Sequence, residues 1–154
     1  MANKLKVVTD TNIFIYGWFG DNEFCDKILD LIDNRKLQLL FAQDTIGELV
    51  YITKNFVRHN LKDIADRLNA LQAIMILFYY GTSVNTMKTD CEKSKDEYDD
   101  MFLKCAIQGE ADYLISDDIE SGMHVNKEIK KFGVKVVTSE EFIKIYEEST
   151  ETSD

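Results

Sequence analysis

Short β-branched runs alternate with helix-length amphipathic segments along this chain. That order predicts an α/β domain built on a mainly parallel sheet with helices on both faces. Two further observations agree. The chain has 154 residues, 45% hydrophobic and 30% charged, the size and balance of one globular domain with one core. Polar residues also follow two of the strand-like runs directly: Asp10 and Asn12 after the first, and Ser116, Asp117 and Asp118 after a later one. In parallel sheets, sites form beyond such carboxyl ends. A single domain over 1–147 is expected, with a polar tail, 148–154, that frays.

The elements follow in order. Leu5 to Thr9 is a β-branched run suited to a buried strand. Asp10, Thr11 and Asn12 look like a helix cap, and Ile13 to Phe19 continues as a helix loosened by Gly17 and Gly20. Asp21 or Asn22 caps a second helix through Asn34, with Phe24, Ile28, Leu31 and Ile32 on one face. Leu37 to Ala42 is the next strand. Asp44 and Thr45 start a helix carrying Ile46, Leu49, Val50, Ile52 and Val57, which His59 and Asn60 interrupt. Leu61 to Tyr80 is helix-like, offers Ile64, Leu68, Leu71, Ala73, Met75 and Leu77 to the core, and stops at Gly81. The polar stretch from Met87 to Glu97 reads as a solvated loop. Asp99 to Gln108 is helical, with Phe102, Leu103 and Ala106 inward and Gly109 at its end. Asp112 to Ser116 and Val134 to Thr138 are strands, Lys135 of the latter pointing outward. Ser139, Glu140 and Glu141 open a last amphipathic helix with Phe142, Ile143 and Tyr146.

Composition excludes several function classes. With 28 acidic and 18 basic residues the formal charge is −10, which disfavours generic electrostatic binding to nucleic acid. It does not disfavour a nuclease that gathers carboxylates around divalent ions, because the ions invert the local charge. No apolar run approaches the ~20 residues of a membrane span, and no h-region suggests a signal peptide, so a cytoplasmic protein is expected. Three widely spaced cysteines form neither a disulfide framework nor a four-cysteine zinc site. His59 and His124 are not spaced as a zinc pair with any cysteine.

Four groups of acids stand out, and each has an ordinary structural role. Asp10 sits where a helix N-cap belongs. Glu48, in a mostly apolar helix, reads as a carboxylate at the edge of a core stripe. Asp99 and Asp100 stabilise the positive end of the helix they open. Asp117 and Asp118 serve as turn residues after a strand. Those roles do not explain why a parallel topology would bring all four groups to one rim. Carboxylates held close repel unless a hard, oxygen-loving ion such as Mg²⁺ or Mn²⁺ neutralises them. One or two such ions can activate water against a phosphodiester.

The order Val-Val-Thr-Asp10-Thr11-Asn12-Ile-Phe, then Glu48-Leu-Val, then Asp100-Met-Phe-Leu-Lys-Cys-Ala through Ala-Asp-Tyr-Leu-Ile-Ser116-Asp117-Asp118, resembles the PIN-domain ribonuclease family, most of all its toxin–antitoxin (VapC-like) branch. The similarity runs from about Leu5 to Tyr146, and the closing Val-Lys-Val-Val-Thr-Ser-Glu-Glu-Phe fits it. The resemblance implies a three-layer α/β/α fold and a ribonuclease hydrolysing single-stranded or structured RNA with metal-activated water, leaving a 3′-hydroxyl and a 5′-phosphate. It implies an acidic quartet of Asp10, Glu48, Asp100 and Asp118 holding one or two Mg²⁺ or Mn²⁺ ions. Asn12 and Ser116 would hold the carboxylates in place. Asp99 duplicates Asp100, and Asp117 stands where the family often has Gly, so the fourth acid falls on Asp117 or Asp118. Glu120 stands where another Asp often follows. A cognate antitoxin and a homodimer are the implied partners.

Around this core, Lys54, Arg58, His59, Lys62 and Arg67 form the main basic cluster, read either as contacts to RNA phosphates or as a solvated face. Tyr16, Trp18 and Phe19 read as base-stacking groups near Asn12 or as core and dimer interface. Cys25 and Cys105 read as small core residues. The competing function is a catalytically quiet PIN-like binding or assembly module, against which the four intact acidic positions weigh. A phosphotransferase of the haloacid-dehalogenase type needs a second Asp where Asn12 stands. A receiver domain needs an acidic pair that this chain lacks, and a nucleotide-binding protein needs a Gly-rich phosphate loop.

Overall fold

A computed structural model describes residues 3–90 and 100–152. Five parallel strands form one sheet in the order β3-β2-β1-β4-β5. They are β1 (Leu5–Thr9), β2 (Leu37–Ala42), β3 (Thr82–Val84), β4 (Tyr113–Ile115) and β5 (Lys135–Val137). β1 is central: Leu5 pairs with Leu37 of β2, and Val7 pairs with both Leu39 of β2 and Tyr113 of β4. The chain order departs from β1 in both directions, which makes the β1–β4 boundary the switch point where a crevice opens beyond the strands' carboxyl ends.

Among the described residues, seven α-helices cover the sheet: α1 (Thr11–Phe19), α2 (Glu23–Asp33), α3 (Gln43–Asn60), α4 (Ile64–Tyr80), α5 (Asp100–Gln108), α6 (Lys127–Lys131) and α7 (Ser139–Glu151). Alternation along each strand divides the core in two. Val7, Leu39, Phe41, Ile115 and Val137 pack with α1, α2, α3, α4 and α7 through Phe14, Ile28, Leu49, Leu77 and Phe142. Val8, Leu40 and Leu114 pack on the opposite side with Phe102, Leu103 and Ala106 of α5 and Ile129 of α6. The result is the expected three-layer α/β/α fold. No helix among the described residues is long and apolar enough to cross a membrane.

Local chemistry places the helix starts. Asn22 accepts from the amides of Phe24 and Cys25, both at 3.0 Å, and so caps α2. Asp63 caps α4 through the Ala65 amide, and Thr138 caps α7 through that of Glu141. Gly17 lets α1 and α2 approach closely, since a Cβ there would lie 2.4 Å from Leu29 Cδ1.

The fold departs from expectation in four places. β3 was not anticipated: it is a three-residue edge strand of mostly exposed residues, without the alternation that marks a strand. The turn at Met123–Val125 and the five-residue α6, capped by Asn126, were not anticipated either, being too short to show a period. The third is α4. Ile64, Leu68 and Met75 were expected inside but are 68%, 61% and 71% exposed, because α4 buries only Ile74 and Leu77. A helix apolar on every side has more apolar face than its neighbours cover. Finally, α7 runs to Glu151 rather than fraying from 148, its outer turns secured by Lys27–Glu147 at 3.6 Å and by the Ser149 and Thr150 hydroxyls bonded back to the Tyr146 and Glu147 carbonyls.

Candidate active site

Asp10 stands at the carboxyl end of β1, with its amide bonded to the Ile115 carbonyl of β4 at 2.9 Å. It occupies the N-cap position of α1, where its carboxylate makes no well-formed capping bond and only leans toward the Asn12 amide. Its Oδ2 instead accepts from the Ser116 hydroxyl at 2.9 Å. The same hydroxyl accepts from the Asp118 amide at 3.2 Å, so one buried oxygen ties the ends of β1 and β4 together.

Asp10 is only 6% exposed. Burial pushes its carboxyl above the ordinary 3.8; the Ser116 hydroxyl and the Asn12 amide oppose that, and the neighbouring Glu48 and Asp118 carboxylates push it further up. Three of the four expected acids therefore share one electrostatic neighbourhood. Neither ion pair among the described residues, Lys27–Glu147 and Lys144–Glu140, brings a cation to them.

Glu48 projects from α3 and accepts from the Thr11 hydroxyl at 2.6 Å, a bond that links the starts of α1 and α3. Asp118 is exposed, and its Oδ1 accepts from the Ser121 amide at 3.2 Å. Asp100 opens α5, the helix that packs across β1, β2 and β4. Asp99 lies outside the described residues. Among the described residues, no three His, Cys, Asp or Glu side chains are drawn close enough together to hold a metal ion.

Asp117 faces elsewhere. Its Oδ1 accepts from the Ser139 amide at 2.7 Å and its Oδ2 from the Ser139 hydroxyl at 2.8 Å, fastening the end of β4 to the start of α7. The Cys25 thiol also points at Asp117, 3.7 Å away, and burial pushes that thiol up to about 11, with Asp117 adding to the shift. Asn12 is exposed and makes no side-chain hydrogen bond among the described residues; Ser116 and Thr11 do the holding expected of it.

Asn12, Tyr16, Asn22, Asp117 and Asp118 line an open cleft of about 390 Å³. Tyr16 is half-exposed there, whereas Trp18 packs on Phe14 and Phe19 on Phe56. Lys54, Arg58 and Lys62 are exposed along α3 and the turn after it, while Arg67 caps α3 by donating to the Leu61 carbonyl at 2.7 Å. Sequence reasoning missed Thr11 as the Glu48 partner and His124, whose Nε2 lies 2.8 Å from the Ser116 carbonyl. Thr11 lies beside a named motif residue and carried a usable signal; His124, eight residues from Ser116 through an irregular turn, carried none.

The family model for the PIN domain matches residues 6–120. This chain belongs to the PIN domain family. The family is generally one of nucleases, and the match spans Asp10, Glu48, Asp100, Asp117 and Asp118. The PIN domain is 29% identical over 147 residues to an uncharacterized protein of Methanocaldococcus jannaschii, covering 94% of this chain and 93% of that one. Its fold is similar to a chain in the crystal structure of VapBC2 from Rickettsia felis bound to a DNA fragment from their promoter, with TM-score 0.54 and 13% identity over 87% of this chain and 98% of that one. It is also similar to a chain in the structure of FitAB bound to the IR36 DNA fragment, with TM-score 0.52 and 13% identity over 86% and 94%.

Proposed function

We propose that this PIN domain is a Mg²⁺- or Mn²⁺-dependent endoribonuclease and the toxin of a toxin–antitoxin pair acting in the cytoplasm. The observation that carries the reading is the buried Asp10 carboxylate at the switch point of the sheet, raised by burial and crowded by Glu48 and Asp118. A carboxylate buried for structure alone would be paired with a cation; among the described residues this one is not, and other carboxylates crowd it instead. The donors are all oxygen, which fits a hard divalent ion and not a soft one.

Asp10, Glu48, Asp100 and Asp118 would hold one or two ions. When bound, the ion supplies the positive charge that an attacking water and a departing phosphodiester oxygen both need. The Ser116 hydroxyl keeps Asp10 in one rotamer and holds the turn that carries Asp118. The Thr11 hydroxyl does the same for Glu48, so two short side chains orient three acids. Asp117, spent on Ser139, serves the frame of the site rather than its chemistry. Lys54, Arg58 and Lys62 are the groups we assign to RNA phosphates.

Two partners complete the proposal. By likeness to VapBC2 and FitAB, one is an antitoxin protein. The other is a second copy of this chain. On α4, Ile64, Leu68, Leu71, Met75 and Phe78 follow a 4-3-4-3 spacing, the seam of a helix pair. The segment from Leu68 to Tyr80 carries no charge, which suits contact between two chains that each bear −10. Ile64, Leu68, Met75 and Phe78 of that seam are all exposed.

The test is cleavage of a labelled single-stranded RNA panel with Mg²⁺, Mn²⁺ or chelator, beside Asp10→Asn and Asp118→Asn. Metal-dependent cleavage absent from both variants is the expected result. Absence of cleavage with every metal, together with no metal binding by calorimetry in folded protein, would leave a binding module instead.

A further inference from the structure

The cleft beside Asp118 has a composition that the acids do not explain. Its other walls are two neutral amides and an aromatic ring: Asn12, Asn22 and Tyr16. Asn12 and Tyr16 lie four residues apart on α1, hence on one helix face. Tyr16 is 49% exposed, and its ring meets no other ring among the described residues, unlike Trp18 and Phe19 one turn away.

Asn22 has a fixed orientation. Its Oδ1 accepts two backbone amides at the start of α2, which uses both lone pairs and determines which branch of the amide is oxygen. Its Nδ2, with no hydrogen bond among the described residues, is a donor and never an acceptor. Asn12 can present either polarity. Asp117 and Asp118 border the same space and repel phosphate, so a neutral planar group is favoured there over an anion. A cleft of about 390 Å³ has room for one nucleobase and its sugar.

We propose that this cleft is a nucleobase subsite adjoining the acids, with Tyr16 stacking on the base and Asn22 Nδ2 donating to an exocyclic carbonyl of uracil, cytosine or guanine. Adenine has no such carbonyl and turns its amino group toward the donor, so it is disfavoured. The subsite rests on the nuclease reading for its place next to the cleaved bond, but not for its ability to bind a base.

The experiment compares cleavage of single-stranded RNAs that differ at one nucleotide flanking the cut, for the native chain, Asn22→Ser, Tyr16→Phe and Tyr16→Ala. Serine caps a helix about as well as asparagine, so Asn22→Ser keeps α2 and withdraws the Nδ2 donor, its shorter hydroxyl lying back at the cap amides. The native chain is expected to cleave RNA with adenine at that position roughly tenfold more slowly, the factor a single good hydrogen bond supplies. Asn22→Ser should bring all four bases within about threefold. Tyr16→Ala should reduce kcat/KM for every base at least about fivefold while Tyr16→Phe retains it, since the ring is what stacks. Cleavage without base preference, or a preference that survives Asn22→Ser, overturns the subsite and leaves the nuclease standing. If no RNA is cleaved, the nuclease reading fails by itself. The subsite is then read from NMR titrations of UMP and AMP: shifts of the Tyr16 ring resonances with UMP, weaker with AMP and lost in Asn22→Ser, sustain it, and equal or absent shifts overturn it.

Discussion

Replacing Asp10 with asparagine is expected to make the metal-free protein more stable while removing its activity. Asparagine has nearly the same shape, and its Oδ1 still accepts the Ser116 hydroxyl now 2.9 Å from Asp10 Oδ2. That bond weakens on becoming neutral, by about 1 kcal/mol. Against it stand the burial of a charge on a residue only 6% exposed and the repulsion of Glu48 and Asp118. The carboxyl lies above its ordinary 3.8, so these unfavourable contributions outweigh the hydrogen bonds that oppose them. Removing the charge should yield a net gain on the order of 1 kcal/mol, the scale of a typical stabilising single substitution. For a chain of this length that raises Tm by roughly 2–4 °C. The gain must depend on pH. The folded protein holds the Asp10 proton more tightly than the unfolded chain does, so the native penalty is absent below the unfolded value and grows as pH rises through the raised folded value. Thermal melts in chelator should therefore show Asp10→Asn above the native chain at pH 7 and level with it near the acid limit of folding. A destabilised variant at pH 7, or a gain that does not change with pH, would refute the argument.

Asp117→Ala should lower stability by about 2 kcal/mol, because the Ser139 amide and hydroxyl are left buried without their acceptor, whereas exposed Asp118→Asn should move Tm little yet abolish RNA cleavage; melts and cleavage measured on both variants separate the frame from the chemistry. Gly17→Ala should cost about 1–2 kcal/mol in a denaturant titration, since its Cβ would meet Leu29 Cδ1 at 2.4 Å and the Cys25 carbonyl at 3.2 Å, more than the helix propensity it gains. Leu68→Asp combined with Met75→Asp should leave the chain folded, as both side chains are exposed in the single chain, and should shift sedimentation from dimer to monomer; a native chain that sediments as a monomer would remove the α4 interface.

The elements legible in the sequence are those whose burial is one-sided or complete. β1 and β2 are apolar runs, and α2, α5 and α7 each carry a clear apolar stripe with a capping or charged first turn, so period and end signals agree. β3 pairs through its backbone on the sheet edge, where side chains carry no pattern. For α4 the composition is plain but its consequence is not. Thirteen uncharged residues say that the helix seeks apolar contact, and nothing local says whether the contact comes from this core or from outside it.

The site divides along the same line. Strand ends in a parallel sheet mark where a site forms, and Asp10 and Ser116 could be read from that alone. The choice between Asp117 and Asp118 could not, because both border the same cleft and only the packing of α7 decides which carboxylate is tied up. Once Ser139 lies against the end of β4, its amide and hydroxyl need an acceptor, and Asp117 is the residue that faces them. Asp118 is left exposed, near enough to raise the Asp10 carboxyl, with the Ser116 hydroxyl holding its amide. An Asp where the family often has Gly thus has a structural reason in this chain: it anchors α7. Asp117→Gly, with Asp118 kept, should loosen α7 without moving the other acids, and amide exchange along Ser139–Phe142 would report it.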